Sequence, residues 1–249
     1  MRFSFRTPTY ARISLLQEML FSFLNLDYDE NEVEMVIVND YPLQELIFDH
    51  PRVKIFNLKE TFPIIGMKEN FTIENCSGNI IITADDDDIA LSNHLKNIDK
   101  YWAEGTDIIF WKNAAYYNEP NITALTSVGN SGMVFSKKAW EKVGKSPIEQ
   151  SGGDMTFANK LRSTGISVYA DPPDKEISWF YRWSLPIDGG CYHSSGNGTD
   201  TPDKPNIVQR HSAHIELQRK LGKIPTGRIQ LVPQWRHNYS QMLKDFINK

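Results

Sequence analysis

Four consecutive aspartates, Asp85, Asp86, Asp87 and Asp88, follow the apolar run Ile80-Ile81-Ile82 with no turn-forming residue between. Adjacent carboxylates at the end of a buried strand repel one another unless a cation, a proton or water relieves them. A set of oxygen-only ligands suits Mg²⁺ or Mn²⁺, and such an ion also bridges neighbouring phosphates. The plain alternative is a solvated acidic loop. An EF-hand is excluded, because the run lacks alternating ligands, a central glycine and a closing glutamate.

Two more polar features stand where apolar runs stop. Thr7-Pro8-Thr9-Tyr10 ends the run at the N-terminus, and Asn39-Asp40 ends Val36-Ile37-Val38. In a parallel α/β sheet, ligands bind at the carboxyl ends of the strands, so all three features converge on one edge. Taken singly each has an ordinary reading. Asp40 is either a turn cap or a carboxylate that accepts a hydrogen bond from a base or ribose. Thr7, Pro8 and Thr9 are either a helix entry or a short loop whose backbone contacts a nucleotide. Arg12, one turn into the next helix, either faces phosphate or is a surface arginine.

The elements that must position these groups alternate between two periods. Residues 2–6 read as a first strand ended by Thr7-Pro8. Ile13, Leu16, Leu20 and Phe23 then recur at helical spacing, predicting a helix over 11–25. Strands follow at 33–38, 53–58, 79–84 and 107–111, with helices at 69–76 and 92–104. This rhythm means an α/β fold with a mainly parallel sheet. The second half is more mixed. It reads as strands at 132–136, 166–169 and 177–183, and helices at 136–143, 154–163, 212–221 and 240–248. Residues 186–205, rich in Gly, Ser, Asp and Pro, read as a loop, and 117–128 carry no readable pattern. Trp179, Tyr181 and Trp183 alternate along one strand face and read as core.

Composition sets outer bounds. The chain has 249 residues and a formal net charge of −4, which argues against a nucleic-acid binder. From Lys204 onward nine Lys/Arg face only Glu216 and Asp245, so this tail carries +7 and the rest −11. The tail reads as a helical surface packed on an acidic body, with contact to phosphate or anionic lipid as the sharper reading. Cys76 and Cys191 lack metal-type spacing and read as two thiols in a reducing compartment. No apolar run approaches the roughly 18 residues that span a bilayer. Residues 1–8 lack a signal-peptide core. The expectation is a cytoplasmic protein, peripheral to a membrane at most. His211 and His214 have no acidic partner in sequence that would suggest a second metal site.

The order and spacing of several motifs resemble family 2 glycosyltransferases. They are Thr7-Pro8-Thr9-Tyr10-Ala11-Arg12 before an amphipathic helix, Val36-Ile37-Val38-Asn39-Asp40, Gly66-Met67-Lys68-Glu69-Asn70, Cys76-Ser77-Gly78 and Ala84-Asp85-Asp86-Asp87-Asp88. The match is good over roughly the first 95 residues and resumes near Gly132 and Gly153-Asp154. It implies a GT-A type fold. Thr7, Pro8, Thr9 and Tyr10 would line the nucleotide pocket, Asp40 would read the base, and Lys68 would lie near base or diphosphate. Asp85 and Asp87 would be the two ends of a D-x-D motif and the metal ligands, with Asp86 and Asp88 in support. Asp154 would be the catalytic base, although the family's acidic pair is here reduced to Gly153-Asp154. Its plain reading is a helix N-terminal aspartate. His193, in a Gly/Ser loop, would complete the metal shell or contact phosphate, or is a surface histidine.

The expected protein is therefore one glycosyltransferase domain over 1–249. It has a nucleotide-sugar-binding half (1–110), an acceptor half (111–205) and a basic helical tail (206–249). It would move a sugar from a nucleotide diphosphate, UDP by expectation, to a hydroxyl of a glycan or other acceptor, with inversion and with Mn²⁺ or Mg²⁺. A sugar-nucleotide nucleotidyltransferase is the rival enzyme, but it would carry a glycine-rich N-terminal loop, and Thr7 to Arg12 contains no glycine. A non-catalytic nucleotide-sugar or glycan-binding module is the other rival, and the single acid at 153–154 is its support.

Overall fold

Runs of β-branched and aromatic residues in the first half fold as central strands, and stretches with helical spacing fold as the helices that cover them. The computed structural model describes residues 2–118, 120–149, 153–182 and 207–249. In chain order the elements are β1 (Phe3–Thr9), α1 (Ile13–Leu24), β2 (Val33–Asn39), β3 (Gln44–Ile47) and β4 (Val53–Asn57). Next come α2 (Ile65–Glu74), β5 (Ile80–Thr83), β6 (Ile89–Ala90), α3 (His94–Tyr101) and β7 (Thr106–Trp111). Then follow β8 (Ala114–Asn118), β9 (Asn121–Thr126), β10 (Val134–Ser136), α4 (Lys137–Lys142), α5 (Gly153–Thr164) and β11 (Ile166–Ala170). The last elements are β12 (Trp179–Arg182), α6 (Ile207–Lys220), β13 (Gly227–Gln230) and α7 (Tyr239–Ile247).

Seven strands form the central sheet in the order β11-β7-β10-β5-β1-β2-β4, parallel throughout except for β10. The chain builds outward from β1 through β2 to β4, then returns to place β5 on the other side of β1. The strand order therefore reverses between β1 and β5, which opens a crevice at their carboxyl ends. A four-stranded sheet, β6-β12-β8-β9, and a two-stranded pair, β13-β3, complete the strands. One face of the central sheet is covered by α1 and α3 through Leu16, Met19, Leu20, Phe23, Leu95 and Ile98. The other face packs on α2, α4 and α5 through Ile73, Trp140, Phe157 and Leu161. A further core joins the four-stranded sheet to α6 and α7 through Tyr117, Phe180, Ile215, Tyr239 and Leu243. Full burial of each such side chain contributes about 1.5–3 kcal/mol.

Three expectations need correction. Thr7-Pro8 does not end β1, which runs to Thr9 with Pro8 opposite Val38 of β2. Pro8 is tolerated because the Arg6 carbonyl is the last group of β1 that β5 reaches, accepting from Ala84 N at 3.2 Å. Pro8 points to that same side, where β5 has already turned away, so its missing N–H breaks no ladder bond. Residues 117–128, unreadable in sequence, contain the end of β8 and all of β9, which pair antiparallel. The basic tail is not only helical, because β13 pairs in parallel with β3. Its cations are partly paired, Arg236 with Glu18 at 3.1 Å and Arg219 with Glu216 at 2.6 Å. No helix among the described residues is long and apolar enough to cross a membrane.

At the far end of the sheet, Glu34 of β2 is buried and accepts from Ser4 Oγ, Ser77 and Lys54 Nζ. Burial opposes its charge, but these donors hold the carboxyl down at about 2. Nearby Cys76 is a buried free thiol pushed up to about 12 by burial and then by Glu34, so it is inert. Cys191, His193, Trp183 and residues 186–205 lie outside the described residues.

Candidate active site

The four aspartates leave β5 at the crevice between β1 and β5, and the turn sends their side chains in different directions. Asp85, Asp87 and Asp88 bring carboxylate oxygens within 4.8 Å of one another. Asp86 does not join them. It is fully buried, accepting from Thr9 Oγ1 at 2.6 Å and forming a two-point ion pair with Arg12. Burial pushes the Asp86 carboxyl up to about 6, with Arg12 and Thr9 drawing the other way. Asp88 is also buried, and burial followed by Asp87 and Asp85 drives its pKa well up. The carboxylates of the cluster thus repel one another, and a divalent ion on oxygen ligands would relieve that repulsion.

Arg12 is buried and is not a surface arginine. Its guanidinium lies on Asp86 and Asp87, 3.0 Å from Asp87 Oδ2. Burial works against this cation, but Asp86, Asp87 and Asp85 outweigh it and raise its pKa. Arg6, midway along β1, is likewise buried among acidic groups. It lies 3.3 Å from both Asp85 and Glu69, and Asp85 is the most exposed of the three. Burial raises the Glu69 pKa, Arg6 opposes this, and Asp85 and Asp154 push further in the same direction. Asp154, in the first turn of α5, therefore faces the Arg6–Glu69–Asp85 group electrostatically while staying exposed.

Thr7, Pro8 and Thr9 are buried in β1, and Tyr10 is the first residue of this stretch to emerge, edge-on to Tyr41 at 5.1 Å. Asp40 is also buried. Its Oδ1 accepts from Lys68 Nζ at 2.5 Å and its Oδ2 from Phe62 N at 3.0 Å. Lys68 donates in addition to the Thr9 carbonyl, tying α2 to β1. Burial lowers the Lys68 pKa, and Asp40 works against that. The segment that caps Asp40 lines a cleft of about 480 Å³ formed by residues from Leu58 to Pro63 and by Met67.

The profile of glycosyl transferase family 2 matches residues 4–164, which takes in nearly all of β1 through α5 and the acidic run with Arg6, Arg12, Asp40, Lys68 and Asp154. The chain belongs to glycosyl transferase family 2. A search of curated protein sequences finds no match. Among solved structures, S. aureus TarS 1–349 in complex with UDP-GlcNAc aligns with a TM-score of 0.58 and 17% identity, over 100% of this chain and 72% of that one. The mannosyltransferase PcManGT from Pyrobaculum calidifontis, in complex with GDP-Man and Mn²⁺, aligns at 0.55 and 15% identity, over 88% of this chain and 73% of that one. In another S. aureus TarS structure the matched part covers 37% of that chain. These likenesses show the GT-A fold.

In this glycosyltransferase the acidic run is also held from the part of the chain beyond the family match. Arg182, the last residue of β12, is fully buried and donates through Nε to the Asp87 carbonyl and through N to Asp88 Oδ1 at 3.4 Å. Its NH1 reaches Glu18 of α1 at 2.5 Å and Tyr239 Oη of α7 at 3.1 Å. Glu18 accepts further from Tyr239 Oη and from Arg236 N and Nε. Burial opposes the Glu18 charge, but Arg182 and Arg236 outweigh it and lower its pKa. Of this buried set Arg182 Nη2 alone has no partner among the described residues, and the Glu18 carboxylate accepts from three residues, as low-dielectric surroundings require of a buried charge.

A second support is the loop Gly129-Asn130-Ser131-Gly132. Ser131 Oγ donates to Asp88 Oδ2 at 2.9 Å and accepts from Trp179 Nε1, while Trp111 Nε1 donates to the Gly132 carbonyl. Asn130 Nδ2 lies 3.5 Å from Asp154 Oδ2, so consecutive loop residues touch the metal-type cluster and the candidate base. Gly132 has φ +65°, and a Cβ there would come within 2.6 Å of the Trp179 ring. Gly132→Ala is therefore expected to destabilise the protein by about 1–3 kcal/mol. A urea titration would check this, and an unchanged midpoint would contradict it.

Of the groups in this site, sequence reasoning missed Arg6, Glu69, Glu18, Asn130, Ser131 and Arg182, and gave Asp88 a supporting place although it stands within the carboxylate cluster. A lone arginine inside the apolar run Phe3-Ser4-Phe5-Arg6 was a usable signal, since a buried cation demands an acidic partner. His214 of α6 joins no metal-type group among the described residues.

Proposed function

We propose that this glycosyltransferase takes its sugar from a nucleotide diphosphate, UDP by preference, and passes it to an acceptor hydroxyl with inversion. Mn²⁺ or Mg²⁺ would be held by Asp85, Asp87 and Asp88, with His193 a further candidate. The observation that carries this reading is the carboxylate triplet at the point where the strand order reverses. The sugar-nucleotide complexes of the structurally similar TarS and PcManGT, the latter with Mn²⁺, support it.

The bound ion would neutralise charge on the departing diphosphate. This chain's own groups do the rest. Arg12 and Asp86 brace the turn from inside, and Arg182 and Ser131 fix Asp88 from the opposite side. Lys68 and Phe62 hold Asp40 at the cleft that would take the base. Asp154, exposed on the first turn of α5, accepts the proton of the acceptor hydroxyl as it attacks. One carboxylate serving as base on the face away from the diphosphate gives inversion.

Two measurements test this. A thermal-shift panel of UDP, GDP, CMP and dTDP, each with and without Mn²⁺, should show its largest stabilisation with UDP and metal. Asp154→Asn should keep that shift and lose transfer by about 10²–10⁴-fold, the usual worth of a positioned base. A shift with GDP alone would correct the base and leave the reaction class. A variant with wild-type turnover would remove Asp154 from its role. No turnover in the wild type, hydrolysis included, would favour the binding-module reading.

A further inference from the structure

The four-stranded sheet turns one face toward the acidic run, and its register aligns a row of side chains there. Tyr181 of β12 pairs with Tyr116 of β8, and Tyr116 pairs with Ala124 of β9. The two tyrosine rings meet edge to face, with centroids 5.4 Å apart and planes at 70°. Toward the interior the same face continues as Trp179 and Ala114, which belong to the main core. Toward the hairpin end, alternation along β8 brings Asn118 onto it, and a register shift after Tyr116 places Asn121 of β9 opposite Asn118 while Ile122 pairs with Tyr117 on the core side. Tyr181, Tyr116 and Ala124 are half-buried, and both asparagines are exposed. The opposite face, with Ala115, Tyr117 and Phe180, is core. Tyr181 directly precedes Arg182, whose backbone N reaches Asp88 Oδ1 at 3.4 Å, so this end of the row adjoins the acidic cluster.

This row has the chemistry of a sugar-binding shelf. An aromatic floor suits the C–H face of a pyranose, and a rim of carboxamides suits its hydroxyls, each amide both donating and accepting. The row carries no charged side chain, and it ends in amides where a lipid chain would need continued apolar surface. Three strands spaced at about 4.8 Å make a shelf about 10 Å across, wider than one pyranose ring. The donor's single sugar therefore does not account for it.

We propose that Tyr181, Tyr116, Ala124, Asn118 and Asn121 form the acceptor subsite, and that the acceptor is an oligosaccharide or longer glycan. This rests on the transferase reading above, because the shelf begins beside the metal-type cluster. The test uses the full chain on a glycan array of neutral and uronic-acid oligosaccharides with their monosaccharides, alongside phosphatidylglycerol vesicles. Each is run with UDP and Mn²⁺ and again without them. The expected result is retention on at least one oligosaccharide above its own monosaccharide. Tyr116→Ala and Asn118→Ala should each weaken it by about tenfold, the scale of one aromatic or hydrogen-bonded contact, with the UDP and Mn²⁺ thermal shift unchanged. Retention on vesicles alone, on no oligosaccharide, or equally by both variants and wild type overturns the proposal. Loss of the UDP and Mn²⁺ shift in the wild type counts instead against the donor reading, and the nucleotide-free array still judges the shelf.

Discussion

Asp87→Asn is expected to lower sugar transfer by about 10²–10³-fold, the loss usual when one preorganised electrostatic group is removed, and to abolish the Mn²⁺-dependent part of the UDP thermal shift. Asparagine keeps the shape of the side chain and removes the charge. Asp87 pairs with Arg12 at 3.0 Å, but Arg12 keeps its two-point pair with Asp86, so the turn itself stays anchored. What changes is the charge of the triplet with Asp85 and Asp88. Asp86→Asn is the control. Asp86 is fully buried and stands apart from the triplet, so its loss should weaken folding through Arg12 and Thr9 while the folded fraction keeps its Mn²⁺ response. Mn²⁺ binding followed by electron paramagnetic resonance separates the two outcomes. An Asp87→Asn protein that binds Mn²⁺ and UDP as the wild type does would remove Asp87 from the metal site.

Glu18→Gln should cost about 3–5 kcal/mol of folding stability, because it leaves buried arginine charge without its counter-ion. Glu18 and the Arg182 side chain are fully buried, and Arg236 and Tyr239 converge on the same carboxylate. Urea denaturation at neutral pH would read the loss directly. The pH dependence has a definite sign. A carboxylate with its folded pKa lowered contributes fully above its ordinary value of 4.5, and that contribution fades as pH falls through the depressed value. The gap between wild type and variant should therefore narrow in acid. Adding Arg182→Met should recover part of the neutral-pH loss, since removing both members of a buried pair is less harmful than removing one. A gap that widened in acid, or a variant as stable as wild type, would show that the Glu18 charge is not what joins α1, β12 and α7.

The amino-acid sequence alone determined the elements whose signal is local. The helical spacing of Ile13, Leu16, Leu20 and Phe23 became α1, and the apolar runs ending at Asn39 and Thr83 became β2 and β5. Period and strand length depend on neighbouring residues and on which face meets water, so they are written within a few positions. The same holds for the acidic run at the end of β5. Which aspartates face one another was decided only by the tertiary structure. Asp86 turns inward because Thr9 and Arg12, more than 70 positions away in sequence, wait there for it. Arg182 meets Glu18 across 164 positions, and β8 pairs with β12 through backbone groups common to every sequence. Charge pairing and strand pairing depend on distance in space, and no short stretch of residues encodes that distance. Chain chemistry thus announced the acid cluster, while folding alone chose its partners and opened the aromatic shelf beside it.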